Sequence, residues 1–183
     1  MLPDGAVDRL LDSAKTIAKV CRSSGVQQWD LIGFQSYGHQ LDIEAGKISM
    51  AAGGGEGGFG VRVVDDGRFG FAHLVDASAA EKAVQQAVAI AKKSPSVSGF
   101  VLPSEQPAED VSGRMDKQIL DIGPEDLLEQ ADAVLSHVRS TDERAVVTGG
   151  GVGVSATASC LMNSEGILSS GITTSHGIGV QVS

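Results

Sequence analysis

Four histidines, two cysteines, two carboxylate pairs and one glycine run are the groups in this 183-residue chain whose types could do chemistry. Their spacing limits what that chemistry is. His39, His73, His137 and His176 are each more than thirty residues from the next, and the chain contains no His-Glu pair. A zinc helix needs two imidazoles one turn apart, with a glutamate to act as base on bound water. No local ligand pair exists here, and a metal would need three histidines converging from a strand, a loop and a helix. His39 falls at an expected turn and His137 beside an apolar helical stripe, so both read as solvated rings. Cys21 and Cys160 form no C-x-x-C and lie far from any histidine at ligand spacing, which makes them reduced, buried thiols. No G-x-S-x-G elbow occurs. Asp65-Asp66 suits a turn and Glu125-Asp126 a helix start better than either suits acid–base work. No catalytic, cofactor-binding or metal residue is assigned.

Gly53, Gly55 and Gly58 satisfy the G-x-G-x-x-G spacing that cradles a dinucleotide pyrophosphate. That chemistry requires a strand before the glycines and a helix opening after them. Here a strand follows, so the run reads as a flexible loop or a strand end in close backbone contact. A nucleotide-binding domain using Gly53 to Gly58 stands as the weaker alternative.

The elements around the run are legible from periodicity. Phe59, Val61 and Val63 alternate with Gly60, Arg62 and Val64, and after Asp66-Gly67 the alternation resumes in Phe69, Phe71 and His73. Period two on both sides of a dipeptide that tolerates positive φ predicts an antiparallel hairpin. Arg62 then points away from the Phe59/Val61/Val63 face, where Gly60 and Gly70 leave room for it to bond a carbonyl or a neighbouring carboxylate.

The phrase from Gly58 to Ala72, G-F-G-V-R-V-x-x-D-G-R-x-G-F-A, resembles the N-terminal region of the TldD/PmbA family, once labelled modulators of DNA gyrase. The resemblance extends along nearly the whole chain: an N-terminal helix, short strands, the hairpin, an alanine-rich helix, and a strand pair turning at Asn163-Ser-Glu-Gly166. It implies a domain spanning residues 1–183 whose metal site, on a His-Glu-x-x-x-His helix with a distal cysteine, lies in a C-terminal domain absent from this chain. It further implies proteolysis or peptide maturation, with zinc in the full-length protein or a partner subunit, and a homo- or hetero-oligomer with a TldD/PmbA-type subunit acting on peptides. The chain's own share would be chamber wall and subunit contacts. The competing reading is a free-standing protein-binding module.

Elsewhere, apolar residues at spacings of three and four predict helices from about Asp4 to Ser23, from a Ser78-Ala-Ala-Glu81 capping box to Lys93, and from Pro124 to Val138. Three short strands are expected between Trp29 and Met50, with breaks at Tyr37-Gly38 and Gly46-Lys47. Ser94 to Leu120, with Pro95, Pro103 and Pro107, reads as a long connection with a short strand near Lys117. Two further strands follow from Ala145, and the last stops in mid-alternation, which suggests a truncated sheet edge. The expected class is α+β, a largely antiparallel sheet with about three helices. A net charge of −9 without any basic run argues against nucleic acid. No apolar run is long enough to span a membrane, so a cytoplasmic protein is expected.

The glycine-run reading is checked by melting. ATP or NAD at a hundred times its dissociation constant would add about 2.7 kcal/mol of stability. Millimolar nucleotide is expected to leave Tm unchanged, and an upward shift would restore the phosphate cradle.

Overall fold

The computed structural model describes Leu2, residues 4–105 and residues 111–183. In chain order the elements are α1 (Ala6–Ser23), β1 (Gln28–Glu44), β2 (Lys47–Asp65), β3 (Arg68–Leu74), a 3-10 turn (Ala77–Ala79) and α2 (Ala80–Ala91). Then come α3 (Lys117–Asp121), α4 (Pro124–Thr141), β4 (Val147–Asn163) and β5 (Leu168–Val182). The strands form one five-stranded sheet in the order β3-β2-β1-β4-β5, every neighbouring pair antiparallel. The architecture is α+β, as the periodicity predicts, with α3 as an additional helix.

Two-residue turns generate the first meander. Ala45-Gly46 and Asp66-Gly67 both have positive φ at both positions (48° and 70°, 49° and 69°), the twist that suits a tight hairpin. The first turn joins β1 to β2, and the second joins β2 to β3 in the predicted hairpin.

The expected break at Tyr37-Gly38 is absent. β1 runs unbroken through it, and β2 absorbs both the expected Ile48/Met50 strand and the Gly53 to Gly58 run, so neither a flexible loop nor a strand end exists there. Gly38 serves strand approach rather than a turn: a Cβ on it would lie 2.4 Å from the Val154 carbonyl oxygen. His39 therefore sits within β1 and not in a loop.

All helices lie on one face, which in β1 carries the odd-numbered residues. Trp29 and Leu31, with Phe59, Val61 and Val63 of β2 and Ala158, Cys160 and Met162 of β4, pack under α1 and α2. Leu41 and Ile43, with Val152 and Val154, pack under Leu127, Ala131 and Leu135 of α4. The apolar stripe of α1 buries Leu10, Ala14, Ile17, Ala18 and Cys21, as its spacing requires.

α2 lies unusually close to β3. Ala80, Ala83, Ala87 and Ala91 present small side chains, and a Cβ on buried Gly70 would stand only 1.7 Å from the Ala87 carbonyl oxygen. Its start differs from expectation. Asp76, not Ser78, is the capping side chain: it accepts the Ser78 N–H at 2.8 Å and the Ser78 hydroxyl, opening the 3-10 turn that leads into α2. These bonds hold the Asp76 carboxyl below its ordinary pKa. A carboxylate two residues upstream outcompetes a hydroxyl for the free N–H groups of the first turn.

The segment expected as a strand near Lys117 is helical instead, because Asp116 accepts the Gln118 N–H at 2.9 Å and caps α3. Pro107 falls within 106–110, outside the described residues. α4 begins at Pro124, with Asp126 reaching back to the Gly123 N–H at 2.7 Å.

Any side chain at position 70 must push α2 off the sheet. Gly70→Ala is expected to cost about 2–3 kcal/mol, read as a lowered urea midpoint. Gly54→Ala, which would meet nothing within 4 Å, should stay within about 0.5 kcal/mol of the parent. Equal midpoints for the two variants would contradict the close-approach account.

Candidate functional site

The strands separate the histidines. His73 stands on β3 opposite Gly60, and His137 is exposed on α4. His39 and His176 share one row, each directly opposite Val154 from either side, so a buried valine stands between the two imidazoles. His176 bonds Gln130 of α4 at 2.7 Å, and His39 meets Tyr37 edge-on with ring centroids 5.4 Å apart. Among the described residues, no three His, Cys, Asp or Glu side chains group closely enough to hold a metal.

Cys21 is fully buried against the sheet and Cys160 lies on the core face of β4. Burial pushes the Cys21 thiol up to about 11, against small lowering effects from its own backbone and Arg22, and raises Cys160 for the same reason. Raised thiols this deep are poor nucleophiles.

The glycine run is the middle of β2, paired residue by residue with β1 from Gly53 opposite His39 to Gly58 opposite Phe34, and β2 continues before and after it along the chain. No helix opens after it, so its N–H groups do not converge on one point as a phosphate requires.

Arg62 is structural and partly covered. Its Nε donates to Asp30 Oδ1 at 3.1 Å and its Nη2 to Asp30 Oδ2, a two-pronged pair between directly opposed residues of β1 and β2. The guanidinium carbon also stands 5.2 Å from the Phe100 ring centre and 6.0 Å from that of Phe69. This is the neighbouring carboxylate that the strand pattern anticipates, but of the two glycines expected to make room only Gly60 shares the face of Arg62: Gly70 lies opposite Val63, on the helix face beneath α2.

Three features were not legible in the sequence. The sheet face away from the helices is covered at one end, where Phe100 packs on Arg62 and Phe69 and Pro103 accepts from Asn163, while Ile32 (56%), Phe34 (39%), Phe71 (58%) and Leu161 (39%) are exposed along the rest. There Arg62, Asp30, Ile32, Phe71 and His73 line a depression of about 440 Å³ floored by Gly60. On the helix face the two cores do not meet. Half-buried Gln35, Tyr37 and His39 line the gap, with a cavity of about 510 Å³ beside α1 and one of about 280 Å³ beside α3. Exposed large apolar side chains on one face would have signalled the first feature only once that face was known to be outward.

The fold places the chain in a class. The profile of the PmbA/TldA metallopeptidase domain 1 matches residues 29–91, the segment from β1 through α2. TldE from Thermococcus kodakarensis superposes with a TM-score of 0.79 over 91% of this chain and 39% of its own, at 21% identity. A Bacteroides thetaiotaomicron protein described as a modulator of DNA gyrase does so at 0.77 over 95% of this chain and 40% of its own, at 18% identity. A Thermotoga maritima protein of the same description reaches 0.71 over 94% of this chain and 39% of its own, at 12% identity. An uncharacterized protein of Methanocaldococcus jannaschii is 29% identical over 140 residues, 75% of this chain and 32% of that protein. The chain thus spans about a third of the curated relative and two fifths of the solved chains. Residues 29–91 match the first domain of the TldD/PmbA family that the glycine-flanked hairpin resembles, and more than nine tenths of the chain shares the fold of the solved structures.

Removing the guanidinium leaves a partly buried carboxylate unpaired, so Arg62→Ala is expected to cost about 1–3 kcal/mol in urea unfolding. Arg62→Lys should recover little of it, because an ammonium cannot copy the planar fork. Two midpoints matching the parent would contradict this. The thiols supply a second check: Cys21 and Cys160 should react with a disulfide reagent at pH 8 only as fast as the chain unfolds. Both favour the protonated form in the fold, so stability present below pH 9 should fall as the pH climbs toward 11.

Proposed function

We propose that this chain works as the first domain of a TldD/PmbA-type protein in cytoplasmic proteolysis or peptide maturation. Its part is to wall a chamber and make subunit contacts. The metal site lies in a second domain, or in a partner subunit. The match to a metallopeptidase first domain over residues 29–91 carries this reading. The open part of the sheet face supports it: an antiparallel sheet that faces water alternates polar outward, whereas this one turns Ile32, Phe34, Phe71 and Leu161 outward. Such a patch fits a domain or subunit contact. The acidic charge, −9 without a basic cluster, fits peptides and protein partners better than DNA. Among the described residues no helix is long and apolar enough to cross a membrane.

Two measurements test the proposal. The coding sequence beyond Ser183 is expected to continue into a domain that either carries His-Glu-x-x-x-His or aligns with one that has lost it. A stop codon there would favour the free-standing binding module. The chain alone is expected to hydrolyse no peptide and to retain no stoichiometric zinc after dialysis. One zinc per chain that disappears on replacing a pair of histidines would overturn the assignment of the metal to another domain.

A further inference from the structure

In the gap between the two cores, Tyr37 and His39 are polar side chains on the helix face of β1, and each is half-buried. On the outer face their neighbours find partners: the Ser36 hydroxyl lies 2.8 Å from that of Thr157, and Gln40 donates to Asp42 at 2.6 Å. Among the described residues, neither the Tyr37 hydroxyl nor a ring nitrogen of His39 has such a partner. No polar side-chain atom there is fully buried without one, so both groups open onto the gap.

The glycine run decides where the two rings lie. Gly55 stands opposite Tyr37 and Gly53 opposite His39. A Cβ on Gly53 would come 2.5 Å from His39 Nδ1 and one on Gly55 3.4 Å from Tyr37 Cδ2, so both rings lean over bare β2 backbone. Their neighbours on the other side, Ala156 and Val154 of β4, are left as the floor of the 280 Å³ cavity beside α3. Its outer wall is the end of α3 and the two residues after it, where Ile119 and Ile122 supply apolar surface.

The charge of this cavity has one sign. Asp121 lines it, and among the described residues no lysine or arginine does. The ion pairs of the described residues, Lys15–Asp12, Arg62–Asp30 and Arg144–Asp142, all lie elsewhere, so Asp121 has no cation of its own. The carbonyls of Leu120 and Asp121 fall at the end of α3, where no further turn follows to donate to them, and among the described residues they accept no other backbone bond. An anion would therefore meet an unpaired carboxylate on a chain of net charge −9, whereas a cation would find a carboxylate, spare carbonyls and two aromatic rings.

We propose that this cavity binds a small primary amine with an apolar or aromatic body, its ammonium held by Asp121 and the Tyr37 hydroxyl and its body laid on Ile119, Ile122, Val154 and Ala156. Apolar walls with a few polar groups to fix orientation are the usual make-up of a small-molecule site. A primary ammonium brings three donors to the carboxylate, the carbonyls and the hydroxyl, and a quaternary one brings none. The occupant ties α3 to β1 and closes part of the gap between the two cores. The site stands independently of the metallopeptidase reading above.

The test titrates the chain of residues 1–183 with phenethylamine, followed by amide proton–nitrogen correlation spectra. Saturable shifts are expected at Tyr37, His39, Ile119, Asp121 and Ala156, together with a rise in Tm. Phenethyl alcohol, the neutral counterpart, and phenylacetate, the anionic one, should each bind at least about tenfold more weakly, because the charge-assisted bonds are lost. The trimethylated amine, which keeps the charge without the donors, should also bind more weakly than the parent. Asp121→Asn, at an exposed position, should remove most of the preference for amine over alcohol. Glu56→Gln, which deletes an equal charge outside the cavity, should preserve it. Ala156→Leu should fill the cavity and abolish binding of all four compounds. Equal binding of amine and alcohol, tighter binding of phenylacetate or of the trimethylated amine, or shifts centred on other residues would overturn the proposal. So would a preference untouched by Asp121→Asn, or no saturation at tens of millimolar amine.

Discussion

The pairing of β1 along its whole length, with β2 on one side and β4 on the other, is the constraint on which the rest of this structure depends. Trp29, Leu31, Leu41 and Ile43 all carry odd numbers, so one register sends the buried residues of both cores to the same face. A slip of one residue would turn Trp29 and Leu31 to solvent and bring Asp30 and Asp42 inward. At 17 residues β1 is about 56 Å long, whereas the 18-residue helices α1 and α4 are each about 27 Å. One helical layer cannot cover such a strand. The helices therefore divide the sheet between them, and the gap at Gln35, Tyr37 and His39 is the geometric remainder.

The two faces and the two edges of the sheet follow from this arrangement. The helix face is filled by alanine, valine and leucine at both ends, and α2 can approach β3 only because Gly70 meets the Ala87 carbonyl without a side chain. The outer face holds the Arg62–Asp30 pair between opposed residues of two strands, with Phe69 and Phe100 against the guanidinium. That pair ties β1 to β2 opposite Phe71, in the middle of β3. From Gly58 back to Lys47, β2 keeps β1 on one side and, among the described residues, has no strand on the other.

Patterns confined to one element could be read directly. The Asp66-Gly67 hairpin, the stripe of α1, the proline start of α4 and the core placement of Cys21 and Cys160 each rest on neighbours within a few residues. The structure departs from the local pattern where one residue type serves two purposes. Gly38 looks like a turn residue, but it lets β1 and β4 approach closely. Ser78 fits a capping box, but Asp76 is nearer the first free N–H groups and carries a charge. Lys117 to Leu120 has the look of a short strand, but the Asp116 cap makes it a helix.

By itself the sequence determined the α+β class, the order of the main elements, the family-like hairpin and the lack of any local metal motif. Each of these depends on spacing along the chain. Only the tertiary structure decided that Asp30 is the partner of Arg62, that His39 and His176 flank Val154, and that Ile32, Phe34, Phe71 and Leu161 share an open face. It alone also decided that β3 stops short of the glycine run. The physical reason is that strand pairing joins residues as far apart as Gly33 and Cys160, and which strands meet, and over what length, is set by the packing of the helices on the sheet.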